Sequence, residues 1–178
     1  MTDFQLNNAI LKAIHYCYGG YAASWNRQSE HNNGVLFYGG TGGGKSFYAC
    51  CIANALLKRG VRVLVSRLSD LVKNQVNNNA PVVNLDSFDL IILDDLGVEK
   101  ATQTAYNIVD DIYRKEIPLI VKTNLSPAEL KNPDSLEKDR IYGRILEMCC
   151  LTEKTDVKIS RLEIAKKKSK QALNDLNM

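Results

Sequence analysis

A chain of 178 residues, 45% hydrophobic and 24% charged, has apolar material for one core of ordinary size and little for a second, so a single domain over 1–178 is expected. No apolar run approaches the roughly 18 residues of a membrane span, and the first residues lack the basic-then-apolar pattern of a signal peptide, so the expectation is a cytoplasmic protein with no membrane partner. A net charge of +3 does not by itself announce a polyanion, and five cysteines without a CxxC (Cys17, Cys50, Cys51, Cys149, Cys150) make neither a disulfide framework nor a zinc site and read as small buried hydrophobes.

In chain order, residues 4–18 set Leu6, Ile10, Ala13, Ile14 and Cys17 at helical spacing, and Gly19-Gly20 stops the pattern. Residues 35–38 read as a short buried strand running into glycines. A helix over 47–58 closes at Gly60, a strand covers 61–66, and Ser69 is a candidate N-cap for a helix to 76. Asn77-Asn78-Asn79-Ala80-Pro81 must break that helix. Residues 88–93 are the most apolar strand, followed by a helix over 101–114, a strand over 117–123, a short helix opened by Pro127 and a longer one over 138–150. A last strand at 157–160 and a basic helix complete the expected order. Residues 1–33 are thus a helical lead-in, 34–150 the core and 151–178 the closing elements. Strands alternating with helices predict an α/β fold, a parallel sheet covered on both faces.

The chemistry begins where the first strand ends. Gly39-Gly40-Thr41-Gly42-Gly43-Gly44-Lys45-Ser46 matches GxxxxGK[ST] at every position, between a predicted strand and a predicted helix. Glycines let the backbone curl so that its N–H groups meet phosphate oxygens, and the helix opening at Phe47 adds the positive end of its dipole. Residues 39–47 are therefore expected to bind ATP, with Lys45 on the β and γ phosphates and the Ser46 hydroxyl on Mg²⁺. The bland alternative is a glycine turn with a surface lysine, against which the full match in its proper place weighs heavily.

Asp94 and Asp95 end the apolar strand on the sheet edge where open α/β folds bind ligands. Asp94 is expected to hold the metal and its water shell, and Asp95 to polarise an attacking water. A lone acidic pair of this kind would more often cap the next segment. Asn124, after the following strand, can touch the γ phosphate or orient water, or can simply open the turn before Ser126-Pro127. No Asn-Lys-x-Asp guanine-reading sequence follows the Asp94 strand, and no arginine-rich lid for a phosphoryl acceptor is evident, so a GTPase and a nucleotide kinase rank last.

Four stretches then resemble a known family: Gly34-Val35-Leu36-Phe37-Tyr38-Gly39, Asp94-Asp95-Leu96-Gly97-Val98-Glu99, Thr123-Asn124-Leu125-Ser126-Pro127-Ala128-Glu129-Leu130 and Arg140-Ile141-Tyr142-Gly143-Arg144-Ile145-Leu146-Glu147. In this order they look like the AAA+ ATPase domain of the DnaC/DnaI helicase loaders and the related IstB transposition ATPases. The resemblance implies a P-loop NTPase of AAA+ type with a five-stranded parallel sheet flanked by helices. The phosphate-loop strand should lie beside the strand ending at Asn124, with the Asp94 strand next out. Asn124 becomes the sensor 1 residue. Arg144 becomes a finger donated in trans to a neighbour's ATP, which implies a homo-oligomer and weak hydrolysis by a monomer. Without the resemblance, Arg140 and Arg144 read as a salt-bridged helical face with Glu137 and Glu147.

The family further implies single-stranded DNA and a replicative helicase as partners. A transposase client and an ATP-gated adaptor with little hydrolysis are the alternatives. Arg67, Lys73, Lys166, Lys167, Lys168 and Lys170 are candidates for DNA phosphates, although the C-terminal lysines also fit the solvated face of an amphipathic helix. The sequence departs from the family's pattern in five places, two of them a helix after Glu99 about a turn shorter than usual and a compact segment over 67–87, where loaders place a DNA-contacting helix. Only about 30 residues precede the first strand where loaders usually carry a helicase-docking domain, the sensor 2 arginine aligns with Leu162, and Lys122 stands where a threonine is usual.

Overall fold

The computed structural model describes residues 34–77, 83–97 and 102–152. Within them strands and helices alternate: β1 (Gly34–Phe37), α1 (Lys45–Leu57), β2 (Val63–Arg67), α2 (Leu68–Val76), β3 (Leu90–Leu96), α3 (Gln103–Arg114), β4 (Leu119–Thr123), α4 (Pro127–Lys131), α5 (Leu136–Met148) and β5 (Cys149–Leu151). All pairings are parallel, in the order β2-β3-β4-β1-β5. The strand before the glycine loop therefore lies beside the strand ending at Thr123, with the Asp94 strand next out, as the resemblance implied.

Because strand residues alternate between faces, each central strand divides its apolar side chains between two cores. Val35, Phe37, Leu90, Ile92 and Ile120 join Ile52 and Leu56 of α1. Leu36, Ile91, Leu93, Leu119 and Val121 point to the opposite face, where they meet α2, α3 and α5 through Leu68, Ile108, Ile112, Ile141 and Ile145. β1 and β4 are buried along their whole length, which explains why they read as continuous apolar runs rather than as alternating ones.

Local chemistry sets the helix boundaries. The Thr102 hydroxyl accepts from Ala105 N–H at the start of α3, and the Ser135 hydroxyl accepts from Lys138 N–H at the start of α5. At α4, Ser126 and Glu129 form a reciprocal capping box with Pro127 in the first turn. Ser69 is not a cap: α2 begins at Leu68, directly from extended Arg67.

Two boundaries differ from expectation in ways that bear on the site. β3 continues past residue 93 through Asp94, Asp95 and Leu96, so both carboxylates belong to the strand. The helix expected to reach 150 ends at Met148, because residues 149–151 pair with β1 as β5. A Cβ at Gly34 would stand 2.6 Å from the Leu119 carbonyl oxygen and 2.7 Å from Cys149 Sγ, so β1 accepts β4 and β5 at this distance only without a side chain there. The expected strand at 157–160, the helix over 4–18 and the basic C-terminal helix lie outside the described residues. Of the cysteines, Cys149 is buried and burial pushes its thiol far above the usual range, whereas Cys50 is exposed, contrary to its reading as a buried hydrophobe. Among the described residues no helix is long and apolar enough to cross a membrane.

Candidate functional site

The glycine loop takes its shape from backbone that only glycine enters freely. Gly39, Gly42 and Gly44 have φ of 126°, 89° and 80°, and Gly44 is the residue from which α1 departs. The first turn of α1 has neither a side-chain cap nor an acidic residue, so its N–H groups and its dipole remain available to an anion. Lys45, the first residue of α1, turns its ammonium back across the loop. It donates to the Gly39 and Gly40 carbonyls at 2.7 and 2.8 Å and to Asn124 Oδ1 at 2.9 Å. The loop lysine and the residue expected to sense the γ phosphate are thereby brought into direct contact over 79 positions of sequence. Thr41 and Phe47 are exposed, and Phe47 stands edge-on to Tyr48 with ring centroids 5.8 Å apart.

The alternation of β4 explains a second cluster. Ile120 faces α1, so Lys122, two residues on, faces α1 as well. Its side chain is only 5% exposed, and its ammonium donates to Ser46 Oγ at 2.9 Å and pairs with Asp94 Oδ1 at 2.7 Å. A buried ammonium requires such partners, since an unpaired charge there would be strongly destabilising. The hydroxyl and the carboxylate expected to hold Mg²⁺ thus converge on one cationic position. Both are hard oxygen donors, so the pair fits Mg²⁺, which takes few protein ligands and completes its shell with phosphate oxygens and water. Among the described residues no group of three or more His, Cys, Asp or Glu is arranged for a metal.

Asp95 breaks the strand pattern. Its φ is 53°, the left-handed region that costs a residue with a Cβ about 1–2 kcal/mol, least for Asn and Asp. The register between β3 and β4 shifts across it, from Leu93 opposite Val121 to Leu96 opposite Thr123. Leu93 and Leu96 consequently face the same core, and the Asp95 carboxylate stands beside Arg67 at 3.7 Å. The shifted ends are clamped: buried Thr123 donates its hydroxyl to the Leu96 carbonyl at 2.8 Å and accepts from Leu125 N–H at 3.0 Å. Gly97, with φ of 104°, lets Leu125 close over the strand end, where a Cβ would come within 2.7 Å of Leu125 Cδ1.

Arg144 is on the other face of the sheet, within α5. Its guanidinium lies over the Tyr113 ring at 4.3 Å, contacts Asp110 at 3.3 Å and donates to Glu147 at 3.2 Å. The salt bridge to Glu147 anticipated from spacing is therefore present. Asp110, 8% exposed, also holds Arg114 at 2.8 Å. Arg140 is exposed on the same helix. Of the DNA candidates, Arg67 pairs with Asp95 and Lys73 with Asp70, and the C-terminal lysines lie outside the described residues.

Two site residues escaped the sequence reading. Lys122 was visible only as a departure from a pattern, yet a basic residue at an inward position of an apolar strand is itself a signal of a buried ion pair. Arg67 was read toward DNA, and nothing local indicated that β2 and β3 pair so that Arg67 lies opposite Asp94.

Comparison with known proteins sets this geometry in a family. Residues 22–170 match the family described as IstB-like ATP binding protein. A protein of Sinorhizobium fredii, named as an insertion sequence ATP-binding protein, is 36% identical over 84 residues, 44% of this chain and 28% of that protein, so the chain spans less than a third of this relative. The crystal structure of the DnaC helicase loader superposes with a TM-score of 0.56 at 23% identity, covering 82% of this chain and 87% of that one. The DnaI structure gives 0.58 at 22% identity, covering 80% and 79%. These two likenesses concern the fold, a five-stranded parallel sheet flanked by helices as in AAA+ P-loop ATPases. The family match spans most of the sequence, and the chain belongs to the IstB-like ATP-binding proteins.

Proposed function

We propose that this chain is a cytoplasmic Mg²⁺-dependent ATPase of AAA+ type, feeble as a monomer and completed by a neighbouring copy, that serves a DNA-acting client. The carrying observation is the convergence on one sheet edge of Lys45 with Asn124 and of Ser46 with Asp94, next to the left-handed Asp95. With triphosphate in the loop, Lys45 exchanges its bonds to the Gly39 and Gly40 carbonyls for bonds to β and γ oxygens. Ser46 and Asp94 are the residues that would hold Mg²⁺, which when bound supplies neutralising charge to those oxygens. Asn124 orients the attacking water and Asp95 accepts its proton. The water oxygen bonds to the γ phosphorus as the bond to the β–γ bridging oxygen breaks, leaving ADP and phosphate. Arg144 of one copy would stabilise the transition state in another, after giving up its contacts with Asp110, Tyr113 and Glu147.

The family match and the Sinorhizobium relative, named for an insertion sequence, favour a transposase as the client, and single-stranded DNA is the expected nucleic-acid partner. Loading of a replicative helicase is the second reading, supported by the loader-like fold. Phosphate release measured with and without single-stranded DNA on wild type, Asp95→Asn and Arg144→Ala, with oligomer mass in parallel, tests the proposal. Turnover should rise with assembly and fall in both variants. Full turnover of assembled Arg144→Ala would remove the trans finger, and ATP binding without phosphate release under every assembly condition would leave an ATP-gated adaptor.

A further inference from the structure

The pairing of Lys122 with both Ser46 and Asp94 goes beyond a stabilising ion pair. Ser46 is the hydroxyl of the phosphate loop and Asp94 the carboxylate opposite it, and the Lys122 ammonium stands between them at 2.9 and 2.7 Å. Its side chain is buried, so the ammonium is held in the site and not spread through solvent as that of a surface lysine would be. Ser46 itself is exposed and the Asp94 side chain is 31% exposed, so the cluster opens toward the loop that holds the phosphates. An ammonium has three N–H donors, and two are accounted for by Ser46 and Asp94. The third has no further partner among the described residues and is available to a phosphate oxygen.

We infer that Lys122 is a built-in cation of the nucleotide site: it supplies, from the protein, positive charge at the position where Ser46 and Asp94 would hold Mg²⁺, and so makes ATP binding nearly independent of divalent metal. The inference rests on the ATP-binding reading. It follows from charge accounting at one place. A fixed ammonium and a divalent ion compete for the same two oxygens, and the ammonium needs no recruitment from solution. Hydrolysis can still require the metal, which would have to displace the ammonium from Ser46 and Asp94, because the transition state places more charge on the γ oxygens than a single ammonium neutralises.

The test is the affinity for ATP, read by isothermal titration in excess MgCl₂ and in EDTA at matched ionic strength, for wild type, Lys122→Thr and Lys122→Arg. Thermal melts confirm that each variant is folded. Wild type should change by less than about threefold on metal removal, whereas Lys122→Thr should bind about tenfold more weakly or worse in EDTA than in Mg²⁺, the size of one charged hydrogen bond. Lys122→Arg, which keeps the charge, should follow wild type. Equal losses of about tenfold in wild type and Lys122→Thr would overturn the inference while leaving the ATP reading intact. So would an unfolded Lys122→Thr accompanied by a wild type that needs metal. Absence of ATP binding by wild type in both buffers would overturn the reading on which the inference rests, and the inference with it.

Discussion

The two faces of the sheet hold their key cations in opposite ways. On the α1 face, Lys45 and Lys122 converge on one edge and link segments distant in sequence: the glycine loop with Asn124, and Ser46 with Asp94. On the other face, Arg144 is engaged by acids and a ring of α3 and α5, two helices that pack on each other. On the function proposed above, the first arrangement is the one that would meet a phosphate group. The second must be undone before its cation can serve another molecule. The contrast teaches that the trans role proposed for Arg144 is opposed by the contacts that hold it in cis.

The largest expected effect that sharpens this contrast is at Lys45. Lys45→Ala removes an ammonium making three hydrogen bonds from a half-exposed position, so the fold should persist while ATP affinity falls on the order of 100-fold by titration calorimetry. Next, Gly97→Val puts a β-branched residue at φ of 104° and against Leu125. It should cost about 2–3 kcal/mol of stability in urea unfolding and release the clamp on the site edge. On the other face, Asp110→Ala deletes the acceptor shared by Arg114 and Arg144. A loss of about 1–2 kcal/mol is expected, together with turnover equal to or above wild type in the assembled state, as Arg144 becomes easier to donate. Turnover falling with stability would instead make Asp110 a support of the finger.

The smallest effect concerns neither face. Arg62 donates to both Asp89 oxygens, and its side-chain and backbone hydrogen bonds hold that carboxyl below the usual range. A carboxylate depressed in the folded state contributes stability above its unfolded value, about 3.9, and loses it as pH falls through the folded one. Arg62→Ala should therefore lower stability slightly near neutrality and flatten the acid limb of a pH-dependent thermal melt. A parallel downward shift at every pH would show that the pair contributes packing and not linkage.

The glycine loop was legible because its geometry is local. The glycine loop, the strand before it and the helix after it lie within a short span, and backbone preference alone restricts which residues fill such a turn. The order of the three central strands was legible through the resemblance, since parallel pairings of distant strands leave no mark in periodicity. What stayed hidden were contacts set by register. Lys122 meets Asp94 and Ser46 because β4 lies between β1 and β3 and its inward face meets α1. No spacing in the sequence encodes that. Asp95 read as a strand-end acid, and its left-handed backbone emerged only from the shift that keeps Leu96 in the core. The strand at 149–151 was read as the end of a helix because three residues, Cys149-Cys150-Leu151, are too few to show a period of two against a preceding helix.

The bond from the Thr123 hydroxyl to the Leu96 carbonyl has a mechanical consequence. It ties the residue just before Asn124 to the residue just after Asp95, through a buried side chain with a second bond to Leu125. The amide and the carboxylate thus ride on one stiff bracket. On the function proposed above, a pull on Asn124 from a bound nucleotide would reach Asp95 through this bracket. Recognition and proton transfer would then be geared rather than independent, with the gear ratio set by Thr123.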